Sequence, residues 1–288
     1  MGGLLLDPFQ LGFMQRALAA VVVVGVVAAV TGVFVVLRRL AFVGDALTHT
    51  VFPGIVLAFL AGRSILLGAL VFGLLSAVAL TLLEANRRVA VDAALAILLT
   101  SFFAFGVVLV SRTRTYTADL SAFLFGRVLA VEPGELAATA AVATVVLLVL
   151  FALRKELLLR AFDPEGAAAL GYHTVLLDLA LNVCVALVVV SGVKAVGTVL
   201  TIALVLVPAA TARLVTDRVA GMAAVAALLG ALGGYVGLVV SYDVSLRWDV
   251  RLASGATVVV VLVGFFLAAL ASVPLRAALG RRAAGGAG

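Results

Sequence analysis

The stretch ALAAVVVVGVVAAVTGVFVVL, residues 17–37, decides the fold. It runs for 21 residues without a charge and is closed by Arg38 and Arg39. At 1.5 Å per residue a helix of that length reaches about 30 Å, the thickness of a bilayer's hydrocarbon core. The run is too long for the core of a signal peptide, so it reads as a first membrane span kept in the mature protein. The same texture fills the whole chain: 65% of its 288 residues are hydrophobic and 12% are charged. With a mean hydropathy of +1.33, too few polar side chains remain to cover the outside of a water-soluble fold. The chain is a polytopic membrane protein.

Lipid cannot satisfy open backbone groups, and long apolar runs rather than ten-residue alternation mark the spans as helices. The expected fold is therefore all-α, a transmembrane helical bundle. Nine runs qualify, near residues 17–37, 40–61, 65–83, 90–111, 135–153, 173–191, 195–212, 219–240 and 252–272. The second and seventh also fit a broken or re-entrant element, which leaves eight or nine spans. Twelve Lys and Arg residues fall on the side of Arg38-Arg39, Arg87-Arg88, Arg154-Lys155-Arg160, Arg213-Arg218 and the C-terminal arginines, seven fall on the other side, and Lys194 sits at a hairpin. The richer side is cytoplasmic by the positive-inside rule, with the N-terminus outside and the C-terminus inside. No long repeat or large soluble insertion interrupts the pattern, so residues 1–288 read as a single transmembrane domain with a disordered tail from about 280 to 288. Of the 28 glycines, several lie inside spans at three- and four-residue spacing, which suits closely approaching helix backbones.

Composition also excludes functions. Two histidines and one cysteine, Cys184, rule out a disulfide framework or a Cys-rich zinc module. The net charge of +6 comes from arginines scattered at span ends, which serve topology and form no stripe for nucleic acid. There is no Walker A sequence, no H-E-x-x-H and no G-x-S-x-G.

Against this apolar background FVGDALTHTVFPG, residues 42–54, stands out. Asp45 and His49 are four residues apart, so on a helix their Cβ atoms lie about 6 Å from each other on one face. Counted from Leu40, His49 is about 14 Å into the membrane. Ionisable groups at that depth are expensive, by about 2.5–3.5 kcal/mol on insertion scales, and usually face a cavity, a partner or an ion path. Thr48 and Thr50 add hydroxyls beside them, and Pro53-Gly54 breaks the helix where transporters place binding sites. Imidazole with carboxylate suits Zn²⁺, Mn²⁺ or Fe²⁺, with a slight preference for zinc from the affinity order. Two ligands make an incomplete site, which a two-fold axis would complete with a second Asp-His pair. The competing reading is an Asp-His hydrogen-bonded pair that only holds two helices together.

A second feature is FDPEGAAALGY, residues 162–172, within the longest cytoplasmic joint. Asp163 is the expected N-cap of a short helix, Pro164 its first residue, Glu165 a first-turn acid and Gly171 its stop. So short a helix is not stable alone in water, and it must dock either on its own bundle or on a partner. The remaining polar residues are less specific. Asp92 and Asp178 lie near cytoplasmic span ends, where snorkelling or capping suffices, and Lys194 is expected to reach the outer headgroups. Residues 242–254 are expected to form an outer loop with an interfacial aromatic.

Four ordered blocks, FVGDALTHTVFPGIVLAF, ADLSAFLFGRVLAV, FDPEGAAALG and VKAVGTVLTIALVLVPAATARL, resemble the ABC-3 family, the membrane permeases of bacterial zinc, manganese and iron ABC importers. The resemblance runs from about Phe9 to Leu270. It implies a vitamin-B12-importer-like permease fold in the bacterial inner membrane and no enzymatic activity of its own. The implied partners are a second permease copy, a dimer of a separate ATPase that binds ATP, and an extracytoplasmic metal-binding protein. It places Asp45 and His49 in the metal path and makes Asp163, Pro164, Glu165, Ala168 and Gly171 the coupling helix that meets the ATPase, with no permanently bound cofactor. The rival reading is a stand-alone secondary transporter or channel that uses Asp45 and His49 as a proton or ion relay.

Overall fold

The computed structural model describes residues 7–86, 88–111, 128–248 and 252–285. After a short 3₁₀ turn at Asp7–Gln10, the helices are α1 (Gly12–Leu37), α2 (Val43–Thr50), α3 (Phe52–Leu60), α4 (Ile65–Ala85), α5 (Val91–Ser111), α6 (Pro133–Ala152), α7 (Arg154–Phe162), α8 (Pro164–Ala169), α9 (Thr174–Val196), α10 (Thr198–Val215), α11 (Val219–Trp248) and α12 (Ser254–Gly285). Among the described residues, nine stretches are long and apolar enough to cross a membrane, with α2 and α3 together forming the second. The seventh, α10, is a continuous helix of 18 residues, about 27 Å long, and is long and apolar enough to cross. The last helix runs through Gly285, past residue 280, where the sequence reading places the start of an irregular tail; 286–288 lie outside the described residues.

The second span breaks where Pro53 requires it. Proline has no N–H to donate to the carbonyl four residues earlier, here that of His49, and the ladder resumes through Ile55 N–H to Val51 O at 3.2 Å. Val51, between the two halves, keeps helical angles of −76° and −17°.

Helix α1 lies at the centre, against α11, α10, α6 and α9. It and α9 are each 67% buried over their apolar windows and α2–α3 is 72% buried, against 11% for α12. The first three therefore form the core of the bundle, and α12 turns most of its surface to lipid. Backbones touch where side chains are absent. A Cβ on Gly25 would lie 2.9 Å from the Gly230 carbonyl oxygen, and one on Gly32 would land on the carbonyl oxygen of Val205. These contacts close α1 onto α11 and α10. Dispersion between such backbones, rather than any hydrophobic drive, holds helices together in lipid.

The cytoplasmic end is fastened by charge. The Asp178 carboxylate, on α9, accepts from Arg160 Nε at 3.1 Å and Arg160 Nη2 at 2.9 Å, and Arg38 Nη1 lies 2.9 Å from Oδ1. Arg38 also faces Glu84 at 4.0 Å, and Asn182 Nδ2 donates to Thr81 Oγ1 at 3.1 Å and Glu84 Oε2 at 3.3 Å. One cluster thus ties α1, α4, α7 and α9. Asp178 is 5% exposed, so snorkelling and capping do not describe it. It is a buried acid between two guanidiniums that arrive from distant parts of the chain.

Two outer features also differ from the sequence reading. Lys194 reaches Glu135 at 3.1 Å and joins α9 to α6 instead of extending to the headgroups. Residues 242–248 are helical, because α11 continues to Trp248. The extension is backed by an Arg247 Nε–Asp243 Oδ1 bond of 2.8 Å at helical i,i+4 spacing. Residues 249–251 lie outside the described residues.

Two stability predictions follow from this packing. Gly32→Val should sharply lower the folded, monodisperse fraction extracted in detergent, because the clash is with backbone; Gly264→Ala, where a Cβ meets nothing within 4 Å, should leave it unchanged. Asp178→Ala should cost about 3–5 kcal/mol by stranding two buried guanidiniums, whereas Arg247→Ala should cost less than about 1 kcal/mol. Thermal denaturation of the purified variants in one detergent would compare them.

Candidate functional site

Asp45 and His49 sit on one face of α2. His49 Nε2 is 3.6 Å from Asp45 Oδ1, too long for a hydrogen bond, so the two groups converge without satisfying each other. Their side chains are 41% and 38% exposed, turned to the subunit's surface and not sealed against its core. His49 lies about 9 Å from the start of α2 at 1.5 Å per residue, within about one turn of the middle of the second span, Val43–Leu60. The imidazole presents an edge to Phe103 of α5 at 5.5 Å between centroids, and Phe52 lies 5.6 Å from the same ring. Phe103 thus flanks the imidazole on one side, with Phe52 packed on Phe103.

The threonines do not join this pair as free donors. Thr48 Oγ1 donates to the Asp45 carbonyl at 2.7 Å, and Thr50 Oγ1 donates to that of Leu47 at 3.1 Å. Both are buried. Hydroxyls within an apolar helix bond back to its carbonyls when nothing else is in reach. Among the described residues, no three His, Cys, Asp or Glu side chains come close enough to hold a metal ion. A single subunit therefore offers a divalent ion two protein ligands here.

The second feature forms as its residues dictate. Asp163 caps α8, with Oδ1 accepting from Gly166 N–H at 2.8 Å. Gly166 is required there, since a Cβ would strike the Asp163 carboxylate. Pro164 stands in the first turn with Glu165. Gly171 ends the segment at φ +84°, with its N–H on the Ala168 carbonyl at 3.0 Å and that of Tyr172 on the Ala167 carbonyl at 3.1 Å. Buried Ala167 and Leu157 seat the arm α7–α8 on the bundle. Asp163, Pro164, Glu165, Ala168 and Gly171 all face outward. So do Phe162, 63% exposed, and Leu170, 71% exposed. The sequence signal for the segment was its cap and stop; its two exposed apolar side chains were not singled out.

Beside this arm opens a recess of about 500 Å³, walled by Arg38, Arg39, Arg160, Phe162, Pro164 and Arg213 among others. Four guanidiniums repel a divalent cation, so the recess is no part of a metal path. The 112–127 segment, including Asp119 and most of the ADLSAFLFGRVLAV block, lies outside the described residues.

The sequence profile of the ABC 3 transport family matches residues 10–273. The chain is 37% identical over 271 residues to the manganese transport system membrane protein MntC of Halalkalibacterium halodurans, covering 93% of this chain and 90% of that one. It is also 37% identical over 267 residues to the chelated iron transport system membrane protein YfeD of Yersinia pestis, covering 93% and 88%. The solved structure of PsaBC from Streptococcus pneumoniae in complex with Fab superposes with a TM-score of 0.79 at 34% identity, over 93% of this chain and 95% of that one. Nine apolar spans among the described residues and a match along nearly the whole chain make this a multi-pass protein of the cytoplasmic membrane, a transport permease and not an enzyme. It belongs to the ABC 3 transport family.

Proposed function

We propose that the chain, a single permease domain, works as a homodimer that imports a divalent transition metal ion, driven by two copies of a separate ATPase and supplied by an extracytoplasmic binding protein. The observation that carries this reading is the Asp45–His49 pair, two metal-ligating groups that converge at 3.6 Å on the exposed face of a broken helix. Two such faces meeting across a two-fold axis would supply two carboxylates and two imidazoles. The segment Asp163 to Gly171, with its outward-facing residues, is the element offered to the ATPase.

The ion is manganese or ferrous iron in preference to zinc. The chemistry of carboxylate with imidazole admits all three, and affinity order alone favours zinc; the relatives, however, are named for manganese and iron. An importer must also release its cargo, so a weak site suits it. Alternating access follows if ATP binding and hydrolysis move the two half-sites between outward and inward exposure. The stand-alone secondary transporter finds no support in the chain's relatives, which are named as components of transport systems.

In proteoliposomes holding the permease and its ATPase, Asp45→Ala and His49→Ala should each lower ATP-dependent manganese uptake at least about tenfold, the lower bound for losing even an outer-shell partner. The amount of each variant in the membrane should equal that of the parent chain. Unchanged uptake in both variants would remove the pair from the path, and uptake driven by a proton gradient without ATP would reverse the class.

A further inference from the structure

The arginine recess has no role in moving a cation, and its charges are not all accounted for. Asp178 holds Arg38 and Arg160, and Glu84 stands 4.0 Å from Arg38. Two carboxylates thus serve two guanidiniums. Arg39 and Arg213, on the same walls, have no acidic side chain within ion-pair distance among the described residues; Arg213 Nη1 meets only the Met222 sulfur, at 3.8 Å. Arg39 is moreover held at the rim by its backbone. It has φ +58°, the single non-glycine residue with positive φ among those described, and the turn is closed by Leu40 N–H on the Val35 carbonyl at 2.9 Å. A left-handed arginine where glycine would be easier is an uncommon way to end a helix, and it leaves a guanidinium facing the recess.

We infer that this recess receives an acidic side chain of the ATPase partner, so that docking on the α7–α8 arm is completed by an ion pair with Arg39 and Arg213. The inference rests on reading residues 163–171 as the ATPase contact and deepens it. Phe162 and Pro164 belong both to the arm and to the wall of the recess, so a protein seated on the arm covers the opening. Exposed Phe162 and Leu170 beside unpaired guanidiniums have the make-up of a protein interface, in which aromatic residues and arginine are enriched. An anionic lipid headgroup would meet the same charges, but it gives no account of apolar side chains exposed on a segment beyond the spans. A recess of about 500 Å³ falls within the range of pockets that enclose a ligand group, ample for one carboxylate side chain. The ion pair has a consequence for coupling. Arg38 and Arg160 share the recess and are bound to Asp178 on α9, so a carboxylate drawn in or withdrawn changes the field at the joint where α1, α4, α7 and α9 meet.

The test is retention of the ATPase on the tagged, full-length permease during purification, over a range of about 50–500 mM NaCl, which spans strong to weak screening. Arg39→Glu with Arg213→Glu should lower retention at low salt at least about tenfold, because reversed charges repel the incoming acid. Arg39→Gln with Arg213→Gln should flatten the salt dependence while the amount of permease in the membrane stays that of the parent chain. An Asp or Glu→Arg change on the ATPase face opposite the recess should restore retention to the Glu variant. Retention of both variants equal to the parent at every salt concentration would overturn the inference. So would loss of a bound anionic phospholipid, seen by native mass spectrometry, with retention unaltered. Gly166→Val, which disrupts the α8 cap, separates the two readings. If it releases the ATPase and the arginine variants do not, only the recess assignment fails; if it too leaves the ATPase bound, the reading of the 163–171 segment fails with it.

Discussion

A helix in a bilayer gains nothing from burying apolar surface against another helix, because lipid is as apolar as leucine. Every contact that orders this bundle must therefore come from close backbone packing or from polar groups that find one another. The first kind is seen where α1 meets α11 through Gly25 and Gly230 and meets α10 at Gly32 and Val205. The second is the Asp178 cluster at the cytoplasmic end. Because a polar side chain is so costly in this environment, each one that remains calls for an explanation, and position alone separates the structural from the functional.

Two polar groups show how that separation works. Asp178 is buried and saturated. Arg160 donates two hydrogen bonds to its carboxylate and Arg38 Nη1 lies 2.9 Å from it as an ion pair, and the arrangement holds α7 and α1 on α9. Asp45 and His49 are the opposite case, about 40% exposed and unsatisfied by each other at 3.6 Å, with their neighbouring hydroxyls turned away onto helix carbonyls. A closed cluster stabilises; an open, converging pair leaves its oxygen and nitrogen atoms available to something else. The distinction depends on geometry and not on residue type, since both groups are built from the same short inventory of charged side chains.

That is also where legibility in the sequence ended. The spans were readable because hydropathy is a property of a contiguous run, and the ends of α8 were readable because Asp163, Pro164 and Gly171 each act on backbone within about one turn of themselves. The break at Pro53 follows from a single missing N–H. By contrast, nothing near Asp178 reveals that Arg38 and Arg160 will converge on it, since their meeting depends on the packing of α1, α7 and α9. Lys194 with Glu135 and the continuation of α11 through Asp243 and Arg247 have the same character. Charged residues at span ends read alike in one dimension, whether they end in water, in headgroups or in one another. The four-arginine recess was invisible for the same reason: Arg39 and Arg213 belong to separate joints, and only the packing of helix ends brings them to one wall.

The incompleteness of the Asp45–His49 pair bears on how transport would be driven under the proposed dimeric reading. A site split between two subunits has full ligand number only at one separation of the two faces. A small relative movement changes metal affinity without altering any side chain, whereas four ligands on one rigid subunit would keep their geometry through the cycle. Energy from ATP applied at the cytoplasmic arm would then need to do no more than shift which subunit arrangement is populated, and a ligand can move such an equilibrium only by its difference in affinity between the two states. A half-site of two ligands makes that difference large, because parting the faces removes half of the coordination at once. The broken helix serves the same end. Pro53 has no N–H for the carbonyl four residues earlier, so a bend of α2 relative to α3 at this point costs one hydrogen bond fewer than in an unbroken helix.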